Sequence, residues 1–273
     1  MRELTTADEV RSASADDTLI MWAAQGLRPG ARAWALGDSI AVACPDLFRR
    51  DRVFVLGEPA EAAALARHAL AECGPSYRVL GDESLLREVT LRVPELRFNA
   101  VFGWMDTDRP TGATTPPIEA GTAVRDVTGE SGNGGPGEAG DEVADVRWLP
   151  PSDDPDVAAL LRVASPSAWA QPGISGVRRW AGLRRNGELV AVAADAWSAP
   201  AVGLIAGVAT DPAHRGKGYA EAVCRLAATT LVAAHGRVAL MVDADNFRAI
   251  RLYERLGFVG RAIATSSVGG RSD

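Results

Sequence analysis

The feature that most constrains the fold of this chain is a short glycine-containing segment. It lies between an apolar strand pattern and a long amphipathic helix pattern. Its residues are Arg215, Gly216, Lys217, Gly218, Tyr219 and Ala220. Small and apolar residues then recur at i, i+3, i+4 and i+7 over 219–234, which predicts a helix. A helix N-terminus offers unsatisfied N–H donors and partial positive charge, and glycines let an anion approach the backbone. The segment predicts a diphosphate-binding turn; a solvated basic turn before a helix is the alternative.

A second segment follows the next apolar strand pattern, 238–243. Asn246 and Tyr253 are seven residues apart and so lie near one face of the helix predicted over 247–256. A phenol in hydrogen-bond range can protonate a departing thiolate, and an amide can orient the amides of a cofactor. The alternative is that Tyr253 is a packing residue and Asn246 only a helix N-cap.

The order of patterns along the chain predicts an α+β fold with a mixed sheet. The C-terminal half reads as strand and helix, a hairpin about Asn186-Gly187, a strand interrupted by Gly207, then helix, strand, helix and strand. The N-terminal half repeats this order from residue 31, with a hairpin about Gly37-Asp38. We expect an internal duplication of one fold.

A composition break separates the two halves. Residues from about 107 to 143 are poor in large apolar side chains, and six glycines fall between Gly129 and Gly140. Such a segment cannot bury enough surface to order itself. We therefore expect a flexible linker over 107–143 between a domain over 1–106 and a domain over 144–273.

Charge and cysteine usage narrow the functional classes. The hydrophobic content of 47% indicates a globular chain. The formal charge of −6 at pH 7 argues against nucleic acid as the main partner and mildly favours cationic substrates. The three cysteines are far apart, so we expect no disulfide framework and no zinc site. Reduced thiols, no signal-peptide pattern and no long apolar run predict a cytoplasmic protein without membrane or metal partners.

Together the two segments resemble the cofactor signatures of the GNAT superfamily of acyl-CoA-dependent N-acyltransferases. The 215–220 segment resembles the family's pyrophosphate loop through Arg215, Gly218 and Ala220, and Asn246, Tyr253 and Gly257-Phe258 resemble its second motif. The resemblance covers about residues 144–268. It implies an acyl-CoA co-substrate, for which we expect acetyl-CoA, and an amine acceptor that is a small molecule or a peptide.

The resemblance also implies residue roles. The strand over 202–210 should part from the strand over 238–243 and leave a cleft for pantetheine, with backbone groups of Val208 and Thr210 pairing with the pantetheine arm. Residues 216–220 would hold the pyrophosphate, with Arg215 and Lys217 adding charge. Tyr253 would be the general acid.

The general base departs from the family pattern. Met241 stands where relatives with a glutamate base carry that residue. Asp243, on the same side of the strand as Met241, is one candidate, and Asp195 is another. A water chain is a third possibility, and both carboxylates can equally be solvated strand ends.

The N-terminal half lacks the chemistry of the C-terminal half. At the matching loop it reads Gly57, Glu58, Pro59, Ala60 and Glu61, where carboxylates would repel a phosphate. The layout resembles tandem GNAT proteins and glycine N-acyltransferase-like proteins with one degenerate half. The sequence thus predicts an N-acyltransferase; the alternative is a catalytically inactive CoA-binding sensor or partner-binding module.

Overall fold

The computed structural model describes residues 1–111 and 145–269. In the N-terminal half the elements are β1 (Arg2–Leu4), α1 (Ala7–Ala13), α2 (Thr18–Ala24), β2 (Arg32–Leu36), β3 (Ser39–Leu47), β4 (Arg50–Leu56), α3 (Pro59–Cys73), β5 (Arg78–Asp82), α4 (Glu83–Arg92) and β6 (Leu96–Thr107). In the C-terminal half they are β7 (Asp145–Trp148), α5 (Asp154–Ala164), β8 (Val177–Arg185), β9 (Glu188–Ala196), β10 (Gly203–Thr210), α6 (Tyr219–His235), β11 (Val238–Asp243), α7 (Phe247–Arg255) and β12 (Val259–Val268).

These elements confirm the α+β fold and most of the boundaries expected from the sequence. Strand β11 has the predicted ends, and Asn186 and Gly187 both adopt positive φ, at 51° and 82°, as a tight hairpin turn requires. Helices α1 and α2 were not predicted. Six of the seven residues of α2 are buried, so the helix lacks the polar face on which a periodic pattern depends.

The twelve strands of the described residues form one mixed sheet. Their order is β1-β2-β3-β4-β5-β12-β6-β11-β10-β9-β8-β7. The last strand of each half is exchanged with the other half: β12 pairs with β5 and β6, while β6 pairs with β12 and β11. The two predicted domains, 1–106 and 144–273, are therefore joined through continuous backbone hydrogen bonding, and their boundaries stay a prediction. Residues 112–143 of the expected linker lie outside the described ranges.

The directions of the strands place parts of both halves at the same edge of the sheet. The pairs β5–β12, β12–β6 and β6–β11 are all antiparallel, so β11 runs opposite to β5. Strand β10 is parallel to β11, and β4 is parallel to β5. The first residues of β4 and β5 therefore lie at the same edge of the sheet as the last residues of β10 and β11.

The side chain of Trp22 also joins the halves, through a hydrogen bond from its indole ring. The ring of Trp22 on α2 lies 5.7 Å from the ring of Phe54 and 5.3 Å from that of Trp104, between centroids. Its indole N–H donates a buried hydrogen bond of 2.8 Å to the carbonyl oxygen of Trp197 in the C-terminal half. Burying an aromatic side chain of this size contributes on the order of 2–3 kcal/mol to the stability of the fold. Helix α2 therefore stabilises the contact between the two halves. Across the described ranges, the helices are too short or too polar to cross a bilayer.

Candidate active site

A cleft opens where β10 separates from β11. The two strands pair in parallel only from Gly203 to Ile205 of β10 and from Val238 to Leu240 of β11. Beyond this point the register between β10 and β9 shifts between Ala206 and Ala209. The strands part in the manner that the family resemblance implies, and a cavity of about 540 Å³ extends from the opening.

Gly207 makes this separation possible. Its φ is +59°, and a Cβ at this position would lie 2.8 Å from the Trp180 ring and 3.1 Å from Cβ of Ala170. Backbone strain and steric contact together therefore favour glycine. The bulge bends β10, so that its backbone on the cleft side turns away from β9. Val208 lines the cavity beside Gly207, and the buried hydroxyl oxygen of Thr210 has no hydrogen-bond partner.

The glycine-containing turn precedes α6. Gly216 and Gly218 have φ of 82° and 81°, and Gly218 is the N-cap residue of the 17-residue helix, with no side chain capping it. A Cβ on Gly218 would have no atom of the described residues within 4 Å, so these residues leave the approach to the helix start open. Because the first N–H groups of a helix lack internal partners, this turn can receive an anion.

Two arginines border the turn. Arg215 donates to the carbonyl oxygens of Thr210 and Ala164, both at 3.4 Å, and so ties the turn to β10 and α5. The guanidinium of Arg248 on α7 lies 4.0 Å from the position of a Cβ on Gly216. Arg248 was not predicted as a site residue; its position two residues after Asn246, at the start of α7, was the available signal. Lys217, Tyr219 and Ala220 lie at the turn and the first residues of α6.

Tyr253 is buried in the wall of the cavity. It is 6% exposed, and its ring centroid lies 6.0 Å from that of Phe258. Burial raises the pKa of Tyr253 well above its ordinary value, because the desolvated phenolate is disfavoured. The phenol therefore keeps its proton at neutral pH. Burial also raises the pKa of the neighbouring Cys224 thiol to about 12, which leaves that thiol protonated and unreactive.

Asn246 is both a helix N-cap and a residue of the cavity lining. Its side-chain oxygen accepts a hydrogen bond of 3.2 Å from the N–H of Ala249, so it is the N-cap of α7. It also lines the cavity. The cap uses the amide oxygen and therefore fixes the orientation of the side chain toward the cleft.

The two candidate bases occupy different environments. Among the described residues that line the cavity, Asp243 is the one carboxylate. Asp195 is 2% exposed; its carboxylate pairs with Arg179 at 3.2 Å and accepts from the Ser198 hydroxyl at 2.7 Å. It lies outside the cavity lining and is committed to a buried network, so the geometry leaves Asp243 as the candidate at the cleft.

The far wall of the cavity comes from the N-terminal half. Phe48, Arg52, Arg78 and residues 100–102 of β6 line it, facing the loop over 165–170. The sequence analysis treated this half as lacking the chemistry and missed these residues. No local pattern distinguishes Arg52 from an ordinary strand arginine; its place follows from the direction of β4 in the sheet.

The start of α3 differs from the start of α6, its counterpart in element order. The hydroxyl of Ser39 donates 2.8 Å to the carboxylate of Glu61 and accepts 2.8 Å from the N–H of Glu58. A carboxylate of the protein thus stands at the beginning of this helix, where it would repel a phosphate. Within 1–111 and 145–269, His, Cys, Asp and Glu side chains form no group of three or more that could hold a metal ion.

Comparisons with known proteins define the class of fold. Residues 148–258 match the model of the acetyltransferase (GNAT) family. A GCN5-related N-acetyltransferase from Kribbella flavida is 18% identical, with 96% of each chain covered and a TM-score of 0.54. One from Sphaerobacter thermophilus is 16% identical, covering 100% of this chain and 96% of that chain, with a TM-score of 0.53.

A third similar structure is a GCN5-related N-acetyltransferase-like protein from Streptococcus suis. It is 12% identical, with 97% of this chain and 100% of that chain covered and a TM-score of 0.52. No curated protein matches the chain in sequence. At these identities the similarity shows the fold: the protein has a GNAT-like mixed α/β fold, and the family pattern lies in its C-terminal half.

Proposed function

We propose that the protein is an acyl-CoA-dependent N-acyltransferase that moves an acyl group, acetyl in the simplest case, to an amine. The observation that carries this proposal is the cleft between β10 and β11, which opens beside an uncapped helix start and is walled by a buried, protonated Tyr253. The match of residues 148–258 to the acetyltransferase (GNAT) family supports it.

The C-terminal half offers the residues that would hold the co-substrate. The backbone of Gly216, Lys217 and Gly218 and the first N–H groups of α6 would bind the pyrophosphate, with positive charge from Arg215 and Arg248. Backbone groups of Val208 and Thr210 on β10 would pair with the pantetheine arm, and Asn246 would orient its amides. Bound in this way, acyl-CoA supplies an activated thioester at the cavity.

The cavity residues would manage the protons of the transfer. The neutral amine nitrogen forms the new bond to the acyl carbon, and the carbon–sulfur bond breaks. Asp243, directly or through water, would take the proton that the amine loses. Tyr253 would give a proton to the leaving thiolate, so the net products are an amide and a thiol. The raised pKa of Tyr253 suits an acid that must stay protonated until the thiolate departs.

The proposal extends to the layout of the chain. We propose two GNAT-like halves, 1–106 and 144–273, of which the first has lost its anion-binding turn. The matching order of strands and helices in the two halves supports a duplication. The Glu61 carboxylate at the start of α3 supports the loss of phosphate binding there.

The sharpest test measures turnover and binding separately. Purified protein with acetyl-CoA and a panel of amines should release free thiol in proportion to acetylated amine, identified by mass spectrometry. Calorimetry with CoA should show binding that Gly218→Asp weakens. Binding without turnover on any amine would favour the alternative, a CoA-binding sensor, and absence of both would reject the proposal.

A further inference from the structure

The surface next to Asp243, the proposed base, is apolar. Phe102 lies directly opposite Asp243 in the sheet, so the two side chains are on the same face, with their Cβ atoms about 5 Å apart. Met241 lies two residues before Asp243 and therefore shares this face. Phe102 and Met241 are half-buried, and both line the cavity. An amine that reaches the carboxylate of Asp243 is thus bordered by an aromatic ring and a thioether.

A loop of the C-terminal half brings a second aromatic residue to the cavity. A Cβ on Gly207 would lie 3.1 Å from Cβ of Ala170, so the loop over 165–170 lies against β10, the strand next to β11. Trp169 in this loop lines the cavity and is 36% exposed. The cavity therefore contains aromatic surface that is in contact with water, and an apolar group of a ligand would be stabilised by covering it.

Contacts with three other side chains hold the ring of Trp169 in place. The ring centroid of Phe48 lies 5.4 Å from that of Trp169 and 4.4 Å from that of Trp197. Phe48 and Trp197 have φ of 55° and 54°, a conformation that such residues keep only where their surroundings fix it. The guanidinium carbon of Arg52 lies 5.7 Å from the Phe48 centroid and 6.0 Å from the Trp169 centroid, within cation–π range. The aromatic surface is therefore formed before a ligand binds.

The same part of the cavity disfavours a polar group on the ligand. The thioether of Met241 is at most a weak hydrogen-bond acceptor, and the side chains of Ala168 and Ala170, on either side of Trp169, are methyl groups. A polar group placed against them would lose its hydrogen bonds with water without replacing them. Among the described residues of the lining, Asp243 is the one carboxylate, so the amine nitrogen lies there and an apolar group extends from it.

We propose that the acceptor is an amine with an aromatic or similarly large apolar group about two carbon atoms from its nitrogen, and that Phe102, Met241 and Trp169 bind this group. This inference rests on the proposed function and names the class of its acceptor. Phe102 belongs to the N-terminal half, and Met241 and Trp169 belong to the C-terminal half. Both halves of the chain therefore determine which acceptor is used.

The test compares two acceptors that differ in the group two carbons from the nitrogen. With saturating acetyl-CoA, kcat/KM is measured for 2-phenylethylamine and for 3-aminopropanamide. Both are unbranched primary amines of comparable basicity, and neither carries a charge on the group that differs. We expect kcat/KM to be about 10- to 100-fold higher for 2-phenylethylamine, which corresponds to burying an apolar group of this size.

Variants assign the preference to this part of the cavity. Trp169→Ala should lower the ratio of the two kcat/KM values by about tenfold, because KM for 2-phenylethylamine rises when the ring is lost, with unchanged affinity for acetyl-CoA. Trp169→Phe should keep most of the ratio. Met241→Gln, which replaces the thioether by an amide of similar length, should also lower it. The control is Leu91→Ala on α4, an apolar truncation at a 77% exposed residue outside the cavity lining, which should keep the wild-type ratio.

The outcomes separate this inference from the proposed function. A wild-type ratio near one, or a preference for 3-aminopropanamide, would overturn this inference alone, because amines would still be acetylated. A wild-type preference that both Trp169→Ala and Met241→Gln leave unchanged would also overturn it. If one of these variants does not fold, the wild-type ratio and the other variant decide. Acetylation of no amine would reject the proposed function itself.

Discussion

Phe102 of β6 lies directly opposite Asp243 of β11 in the central sheet. A residue of the N-terminal half therefore borders the end of the strand that carries the proposed base. Both residues line the same cavity. The cavity at the cleft of the C-terminal half is thus completed by a strand from the other half.

Removing the hydroxyl of Tyr253 separates acid catalysis from packing. Tyr253→Phe keeps the ring and should lower kcat by about 10²-fold, while CoA affinity and Tm change little. The measurement is steady-state kinetics with calorimetry and thermal unfolding. The matched control is Tyr77→Phe, another buried tyrosine, in the N-terminal core cluster, which should leave kcat unchanged. An unaltered kcat in Tyr253→Phe, with chemistry rate-limiting, would remove Tyr253 from the mechanism.

Asp243→Asn should slow the reaction most at neutral pH. If Asp243 takes the amine proton, its loss should lower kcat/KM by about 10²-fold near pH 7. The deficit should shrink as pH rises, because hydroxide increasingly takes the proton that the attacking amine loses in place of the missing carboxylate. The pH profile of kcat/KM is the measurement. Asp245→Asn, the same change two residues along, should behave as wild type; a deficit that is constant with pH would argue against a base role.

A carboxylate at the turn before α6 should repel the co-substrate. Gly218→Asp should weaken CoA binding at least tenfold, measured by calorimetry. Gly218→Asn carries a side chain of the same shape and tolerates positive φ similarly, so it isolates the charge and should weaken binding less. Ala60→Asp, near the start of α3, should leave CoA affinity nearly untouched. Equal losses of CoA affinity in Gly218→Asp and Ala60→Asp would show that the CoA site has been assigned to the wrong half of the chain.

Cutting the chain between the halves should not separate them. A protease recognition sequence inserted between Gly134 and Gly135 would allow one defined cut. The two fragments should then co-elute in size-exclusion chromatography and part only in denaturant, because β6 is hydrogen-bonded between β12 and β11. Fragments that elute separately without denaturant would contradict the exchanged arrangement.

Local signals in the sequence predicted much of the fold. The apolar run of β11, the Asn186-Gly187 turn and the apolar stripe of α6 are short-range features, and the structure contains them as expected. The exchange of β6 and β12 has no such signal. A strand can satisfy its hydrogen bonds within its own half or in the other, and the choice depends on contacts far apart in sequence.

The candidate site could likewise be predicted only in part from the sequence. The turn before α6 and the position of Tyr253 follow from motifs, and their roles stay predictions. Arg52 could not be found from the sequence, since its burial depends on Trp169, more than a hundred residues away. The same holds for Arg50, whose guanidinium carbon lies 5.1 Å from the ring centroid of Trp169.

The exchanged strands also bear on how such a protein can evolve. A gene shortened to the C-terminal half would leave one side of β11 as a bare strand edge and deprive β12 of both of its neighbours. Exposed edges of this kind pair with other chains and aggregate. Under the proposed duplication, selection could remove an anion-binding turn from the N-terminal half but not the half itself, and that half would be free to diverge in the residues that it contributes to the shared cavity.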